Sequence, residues 1–513
     1  MPLNQLIIIL AIQLLILLLP AAGMYKMFEK AGVEGWKALV PFYNTWTMLK
    51  LSKRRTYLFF MQFIPVAGWF VSMSVFVDFV KTFGKFKFHE HAMAALLPLF
   101  YFSYLGFNKR DQFIGATVVA QHKKSSAREW IDAAVFAVVA ATLIRAFVFE
   151  SYAIPSGSME KSMLVGDYLF ASKISYGPRI PNTPLALPFV HNQIPFFGTK
   201  SYLDWIRLPY TRWFASPVKR NDVVIFNLPV GDTVIDKDDY GTKILYYDVI
   251  RQLGNGNPHE GRKILLANPD EYPLIVHPVD KTDNYVKRCV AVPGDILEIR
   301  ESVLYINGNA VAFPARSETY YYVETGGQPL DETAMKEEYD VDINNPEEFQ
   351  ATDQTNTYRI LLTAAAKEKM QKNGLAKNIS LETYKEKAGG LVFPYDNQHK
   401  WTIDDFGPVW VPKKGATLIL TAENYPLYER AIRVYENNKL EMHDGKFFIN
   451  DQETNRYTFK MDYFWMMGDN RHDSQDSRLW GFVPEDHIVG KASFIFMSWD
   501  KGPRWGRIFS TIK

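Results

Sequence analysis

One cysteine, Cys289, stands in a chain of 513 residues, so no disulfide can close within it and no multi-thiolate metal site can form. A single thiol leaves the redox compartment unread. An excess of charge is also missing: 58 Lys and Arg against 56 Asp and Glu leave a net charge near +2, and no basic tract is long enough to follow a phosphate backbone. That argues against a nucleic-acid partner. The first five residues hold no Lys or Arg, so the apolar run after them lacks the basic region of a cleavable leader and reads as a retained membrane helix. The ten histidines include no metalloprotease-type pair, and no tandem repeat or low-complexity tract is visible.

What the chain does have is hydrophobicity gathered in its first third. Four apolar runs, at 6–22, 58–80, 92–107 and 131–149, approach the roughly 20 residues that cross a bilayer as a helix. The third is short and contains Pro98, so a buried core helix is its alternative. Lysines and arginines, retained on the cytoplasmic side, crowd the segments after the first and third runs, with Lys26, Lys53, Arg54, Arg55, Lys109 and Arg110 among them. With four spans, everything after Glu150 then lies on the periplasmic or extracellular face, and Arg145 snorkels near the outer end of the last helix.

Beyond residue 166 the pattern changes to short β-branched and aromatic runs bounded by turn formers, at 167–172, 222–227, 263–267 and 285–292, which predict strands. Residues 296–311 predict a hairpin with Asn307-Gly308 at its turn, and Asp444-Gly445 marks another. The Pro- and aromatic-rich stretches 177–213 and 269–283 read as surface insertions. An acidic segment with a helix over 363–372, ended by Asn373-Gly374, reads as an inserted subdomain. The expected organisation is a membrane domain of about three transmembrane α-helices over 1–130, a transmembrane anchor over 131–150, a mainly-β domain over 151–312 and 416–513, and an α/β insertion over 313–415.

The last apolar run feeds directly into Ile154-Pro155-Ser156-Gly157-Ser158-Met159. Proline ends the helix and two hydroxyls flank a glycine, which describes either a solvated turn or a nucleophile site. A serine nucleophile needs a base to take its proton. His472 and His487 are one choice, although both also read as surface residues. Lys287 is the other, placed by Tyr285-Val286-Lys287-Arg288 in an apolar strand, where it is either an edge residue facing solvent or a buried and therefore neutralisable amine.

Four segments, in order, resemble those of the type I signal peptidases, membrane-bound Ser-Lys proteases. They are Ile154-Pro155-Ser156-Gly157-Ser158-Met159, Gly166-Asp167-Tyr168-Leu169, Lys287-Arg288-Cys289-Val290-Ala291-Val292-Pro293-Gly294-Asp295, and Gly468-Asp469-Asn470-Arg471-His472-Asp473-Ser474-Gln475-Asp476-Ser477-Arg478. The resemblance implies a signal peptidase-like β fold in the exported half. It makes Ser158 the nucleophile and Lys287 the general base, with Ser156 completing the oxyanion hole and Ser474 orienting the lysine. Asp469 and Asn470 would hold the site loop, Asp476 and Arg478 would form a structural ion pair, and Ile154, Met159, Met163, Tyr285 and Val286 would line shallow substrate pockets. Secretory precursors would be the substrates, at the outer face of a bacterial cytoplasmic membrane, with the lipid bilayer and the secretion machinery as neighbours and no metal or organic cofactor.

The chain departs from the family at Lys161-Ser162, where Pro-Thr is usual, and at Cys289 and Ala291; Lys161 is expected to add a charge near the substrate entrance. Two other readings remain open, a Ser-Lys self-cleaving regulator and a non-catalytic scaffold on the same fold. The first lacks its DNA-binding domain here, and the second gives no reason for Ser156, Ser158, Lys287 and Ser474 to occur together.

Overall fold

The computed structural model describes residues 3–512 apart from 65–66, 124, 230–232, 236, 238–243, 245, 256–257, 328–329, 385–389 and 391. Two compact units divide at Val138/Val139.

In the first unit, helices Ala21–Lys30 and Pro98–Phe107 meet backbone to backbone. A Cβ on Gly23 would lie 2.2 Å from the Phe102 carbonyl, and one on Gly106 would lie 2.4 Å from Gly23 O, so only glycine permits this crossing. Met24, Met27, Phe28, Phe76, Phe79 and Phe102 fill the core beside it.

The expected four spans are corrected by helix length. The second run gives the 15-residue helix Ala67–Lys81, about 22 Å at 1.5 Å per residue against a hydrocarbon core of about 30 Å. The third is broken into Phe88–Leu96 and Pro98–Phe107, because a residue preceding proline is driven out of the α region and Leu97 sits at φ −128°. The first turns by 48° between Leu10–Leu18 and Ala21–Lys30. Among the described residues one unbroken helix, Ser126–Phe147, is long and apolar enough to cross a membrane, or two if the bent pair counts as one span.

The second unit is mainly β. Its largest sheet has seven strands, Phe149–Ala153 (β1), Asp167–Ser172 (β2), Val223–Asn227 (β3), Asn284–Ala291 (β4), Tyr463–Met467 (β5), Val483–Pro484 (β6) and Ile488–Ser498 (β7), in the spatial order β1-β2-β7-β3-β4-β5-β6. All the pairings are antiparallel. Strand β3 is apolar from Val223 to Phe226 because both its faces are covered: Val224 and Phe226 join Cys289 and Trp480, while Val223 and Ile225 join Ile154, Met159 and Met163. On its other side β4 pairs with β5 only at Arg288, Cys289 and Ala291, so its first half has a single strand neighbour.

A second sheet continues from β4. Ile296–Arg300, Val303–Ile306 and Asn309–Ala310 form a meander with turns at Glu301-Ser302 and Asn307-Gly308, all four residues at positive φ as type I′ hairpins require. The expected single hairpin is thus two, because alternation alone does not reveal a turn made by Glu-Ser. Asp444-Gly445 closes Leu440–His443 onto Lys446–Ile449 as expected. The strand predicted at 263–267 is instead the end of helix Pro258–Ala267, started by proline at its first position and buried through Leu265 against Val249 and Ile250.

Within the expected insertion, Phe349–Ala351, Thr357–Thr363, Glu318–Thr325 and Ala376–Leu381 build their own sheet. Helices Glu332–Tyr339 and Ala364–Lys372 cover it over Met335, Tyr339 and Met370. Strand Phe406–Trp410, also inside 313–415, pairs instead with Ile296–Arg300.

Trp465 is fully buried and meets Phe393, Phe406 and Phe482 at ring separations of 6.0, 5.3 and 5.5 Å. Trp465→Ala should therefore lower unfolding stability by about 3–5 kcal/mol, read by urea denaturation of the detergent-solubilised chain. A loss below about 1 kcal/mol would place the core elsewhere.

Candidate active site

The site begins where the chain leaves β1. Ile154 donates its N–H to Asp167 O at 2.9 Å and accepts from Gly166 N at 3.0 Å, after which Pro155, without an N–H, leaves the sheet. Extended Ser156 precedes a single turn of 3₁₀ helix, Gly157–Met159. That turn leaves Ser156 exposed and Ser158 half-buried, and inserts Met159 into the core.

Lys287 reaches the same point from β4. It is 3% exposed, and its Nζ lies 2.5 Å from Ser158 Oγ and 5.7 Å from the centre of the Tyr285 ring. Burial pulls its pKa down to about 8, against an opposing push from Asp476, Asp469 and Asp473 and with help from Arg478. An amine with a pKa of about 8 keeps an appreciable neutral fraction just above neutral pH, and in that form, in contact with a hydroxyl, it can accept the hydroxyl's proton.

The loop after β5 closes the site from the other side. A Cβ on Gly468 would stand 2.2 Å from Ser474 Oγ and 2.5 Å from Ser158 O, so glycine lets the loop pass between them. Asn470 donates its N–H to Ser158 O at 3.2 Å and its side-chain amide to Gly157 O at 3.4 Å. Asp469 is fully buried, receiving Arg288 Nε and Nη2 at 2.7 and 2.6 Å and Ser162 Oγ at 2.6 Å. Arg288 is therefore this aspartate's partner. Asp476 receives Arg478 Nε and Nη2 at 2.9 and 2.8 Å and Gly468 N at 3.1 Å.

Ser474 stands beside these groups, but its buried Oγ has no hydrogen-bond partner among the described residues. Ile154, Met159 and Met163 pack together with Val286. Tyr285 lies with Trp480 in the neighbouring cluster, their rings 5.4 Å apart, since adjacent strand residues point to opposite faces. Among the described residues no group of His, Cys, Asp and Glu could hold a metal ion.

Several contacts around the site have no local signature. Lys161, at φ 62°, turns away from Ser158, donates to Asp340 O at 2.7 Å and faces the carboxylates of Asp340 and Glu348 at 3.5 and 3.7 Å. It ties the catalytic turn to the insertion rather than offering a charge at a substrate entrance. His472, read as a surface candidate, is buried between Thr319 Oγ1 at 2.8 Å and Asp404 Oδ1 at 3.0 Å. His487 is also buried, its Nδ1 2.6 Å from Asp486.

Glu318 completes this seam. Its N–H donates to Asp469 O and its carbonyl accepts from Arg471 N, both at 2.9 Å, while its buried carboxyl has no hydrogen-bond partner among the described residues. Burial raises its pKa to about 8, with Lys161 opposing.

Comparison with known proteins fits this geometry. Residues 127–359 and 413–499 match the family described as signal peptidase, peptidase S26, and residues 36–116 match a family of unknown function, DUF5684. The signal peptidase I of Haemophilus influenzae is 22% identical over 79% of this chain and 83% of its own length. That of Buchnera aphidicola is 24% identical over 71% and 77%, and that of Rickettsia bellii is 25% identical over 43% and 52%. The S26 match covers more than half of the chain, and the chain belongs to the signal peptidase family. It is by that membership a peptidase.

Glu318 gives a pH test of the seam. A carboxyl whose folded pKa is raised costs nothing below its unfolded value of about 4.5; the penalty grows between there and about 8 and is constant above. Glu318→Gln should therefore stabilise the protein by roughly 2–4 kcal/mol at pH 8.5 and by little at pH 4.5, compared by urea unfolding at both pH values. Equal effects at the two would show that the carboxyl is solvated.

Proposed function

We propose that this chain is a type I signal peptidase working by a Ser-Lys dyad. The observation that carries the reading is the buried contact of Lys287 Nζ with Ser158 Oγ. Neutral Lys287 takes the proton as Ser158 Oγ attacks the scissile carbonyl, and the resulting ammonium then protonates the leaving amine. The Ser158 N–H and the exposed Ser156 hydroxyl are assigned to the oxyanion of the tetrahedral intermediate. Ser474, pressed against Gly468 beside the dyad, is assigned the orienting hydrogen bond once Lys287 carries its proton.

The precursor enters as an extended strand. Residues Asn284–Lys287 keep one edge without a strand neighbour among the described residues, and a peptide laid there gains backbone hydrogen bonds. Every second side chain then passes over Val286, backed by the buried Ile154, Met159 and Met163 and flanked by Tyr285, a shallow surface that suits the small residues at signal cleavage sites. The Ser126–Phe147 helix anchors the enzyme, and since the substrate's signal segment occupies the same bilayer, the anchor raises its effective concentration. Basic residues before this helix hold its N-terminal end on the cytoplasmic side, which puts catalysis at the outer face. We assign 151–312 and 406–513 to the protease domain and 313–405 to the insertion.

Detergent-solubilised protein given a secretory precursor should release one mature product, mapped by mass, and Ser158→Ala and Lys287→Ala should each lower turnover by at least about 10³-fold. Because the base acts without its proton, the rate should rise with pH through an apparent pKa of about 8 and then level off. Retained activity in Lys287→Ala with an unchanged profile would falsify the dyad.

For topology, a membrane-impermeant maleimide should label Lys446→Cys in intact cells and Lys123→Cys only after lysis. Labelling of both in intact cells would remove the single anchor between them.

A further inference from the structure

Between the end of the Ser126–Phe147 helix, the long arm after β2 and the start of β4 lies a cavity of about 200 Å³. It holds the share of liquid volume of roughly six or seven waters. Its walls carry four cations, Arg145, Lys173, Arg179 and Lys281, and two carboxylates, Glu150 and Asp280.

The cations are not evenly compensated. Arg145 and Lys173 share Glu150, at 2.6 and 2.8 Å. Arg179 is held by neutral acceptors, the Asp486 carbonyl and Asn227 Oδ1. Asp280 spends Oδ2 on the Thr183 N–H and hydroxyl, at 3.0 and 2.9 Å, and its Oδ1 is buried without a partner. Lys281 is 8% exposed and has no hydrogen-bond or ion-pair partner among the described residues; its Nζ lies 5.5 Å from the centre of the Tyr202 ring. Lys281 feels the carboxylates of Asp280 and Glu150 without an ion-pair contact to either, so a desolvated ammonium that would gain from a direct anion contact lines a space large enough to admit one. Burial lowers the pKa of Lys173, Arg179 and Lys281 alike, with Glu150 opposing at Lys173 and Asp280 opposing at Arg179 and Lys281.

We propose that this cavity is a binding site for the phosphate of an anionic amphiphile, a glycerophospholipid headgroup, with Lys281 as its principal cation. The apolar part of such a ligand has a place beside it. Leu187 and Phe189 of the arm line the cavity and are half exposed, and the same arm carries Phe196, Phe197 and Trp205 almost fully exposed. The cavity is also lined by Thr142 and Ala146 of the apolar helix. Cations set next to exposed aromatic and aliphatic side chains match a ligand that is charged at one end and apolar at the other. This site lies apart from Ser158 and Lys287 and does not depend on their assignment.

The full-length protein in neutral detergent is titrated by calorimetry with dihexanoyl-phosphatidylglycerol and, separately, with inorganic phosphate. Wild type should bind the lipid saturably, Lys281→Gln about tenfold or more weakly, and Lys200→Gln, which alters an exposed lysine near the same tyrosine but outside the cavity wall, like wild type. Weak phosphate binding with the same dependence on Lys281 supports a headgroup site. Phosphate binding as tight as the lipid would assign the site to a free anion and overturn the amphiphile. Affinity unchanged in Lys281→Gln, or no binding to wild type, overturns the site itself. Should Lys281→Gln unfold at lower temperature than wild type, Lys281→Arg decides: restored binding supports the charge, and lost binding refutes it.

Discussion

A buried ammonium whose pKa desolvation pulls down to about 8 is the constraint around which the β unit is arranged. Lys287 lies among three carboxylates that favour its charged form, so burial has to outweigh them. Two of the three are taken up by arginines, Asp469 by Arg288 and Asp476 by Arg478. Each pair is buried and bidentate, which spends carboxylate charge locally. Strand order does the rest. The lysine sits on β4 opposite Val224 of β3, where the covered sheet excludes water.

The insertion is tied to this arrangement. Lys161 leads from the catalytic turn to Asp340 and Glu348, His472 leads from the site loop to Thr319 and Asp404, and Glu318 bonds the backbone on both sides of Asn470. The insertion thus contributes carbonyl, carboxylate and backbone partners to Lys161, three residues after Ser158, and to the loop after β5 that bonds the Ser158 carbonyl. Such contacts restrict the loop that sets the distance between Ser158 and Lys287, and rigid support of that kind governs how well reacting groups are aligned.

The N-terminal unit shows how helix length departs from a count of apolar residues. Its apolar runs are long enough in residue count, but Pro20, Pro98 and the glycine contact of Gly23 with Gly106 convert them into short helices packed on one another. A count of apolar residues measures the material available, whereas the length of each unbroken helix is set by where proline and close packing interrupt it.

The sequence by itself determined the order of the chemistry-bearing segments, the strands at 167–172 and near 222–227 and 285–292, and the hairpin at Asp444-Gly445. These are written in local patterns, period-two alternation, turn formers and short motifs, each read within a few residues. Only the tertiary structure decided that Lys287 is buried and faces Ser158, that Arg288 belongs to Asp469, that Ser474 Oγ stands without a partner, and that Lys161 serves the insertion. Those outcomes depend on residues more than a hundred positions apart meeting in a water-poor space, and both desolvation and the choice of a charged partner are properties of that space. A strand pattern specifies which residues share a face; it does not specify what covers the face.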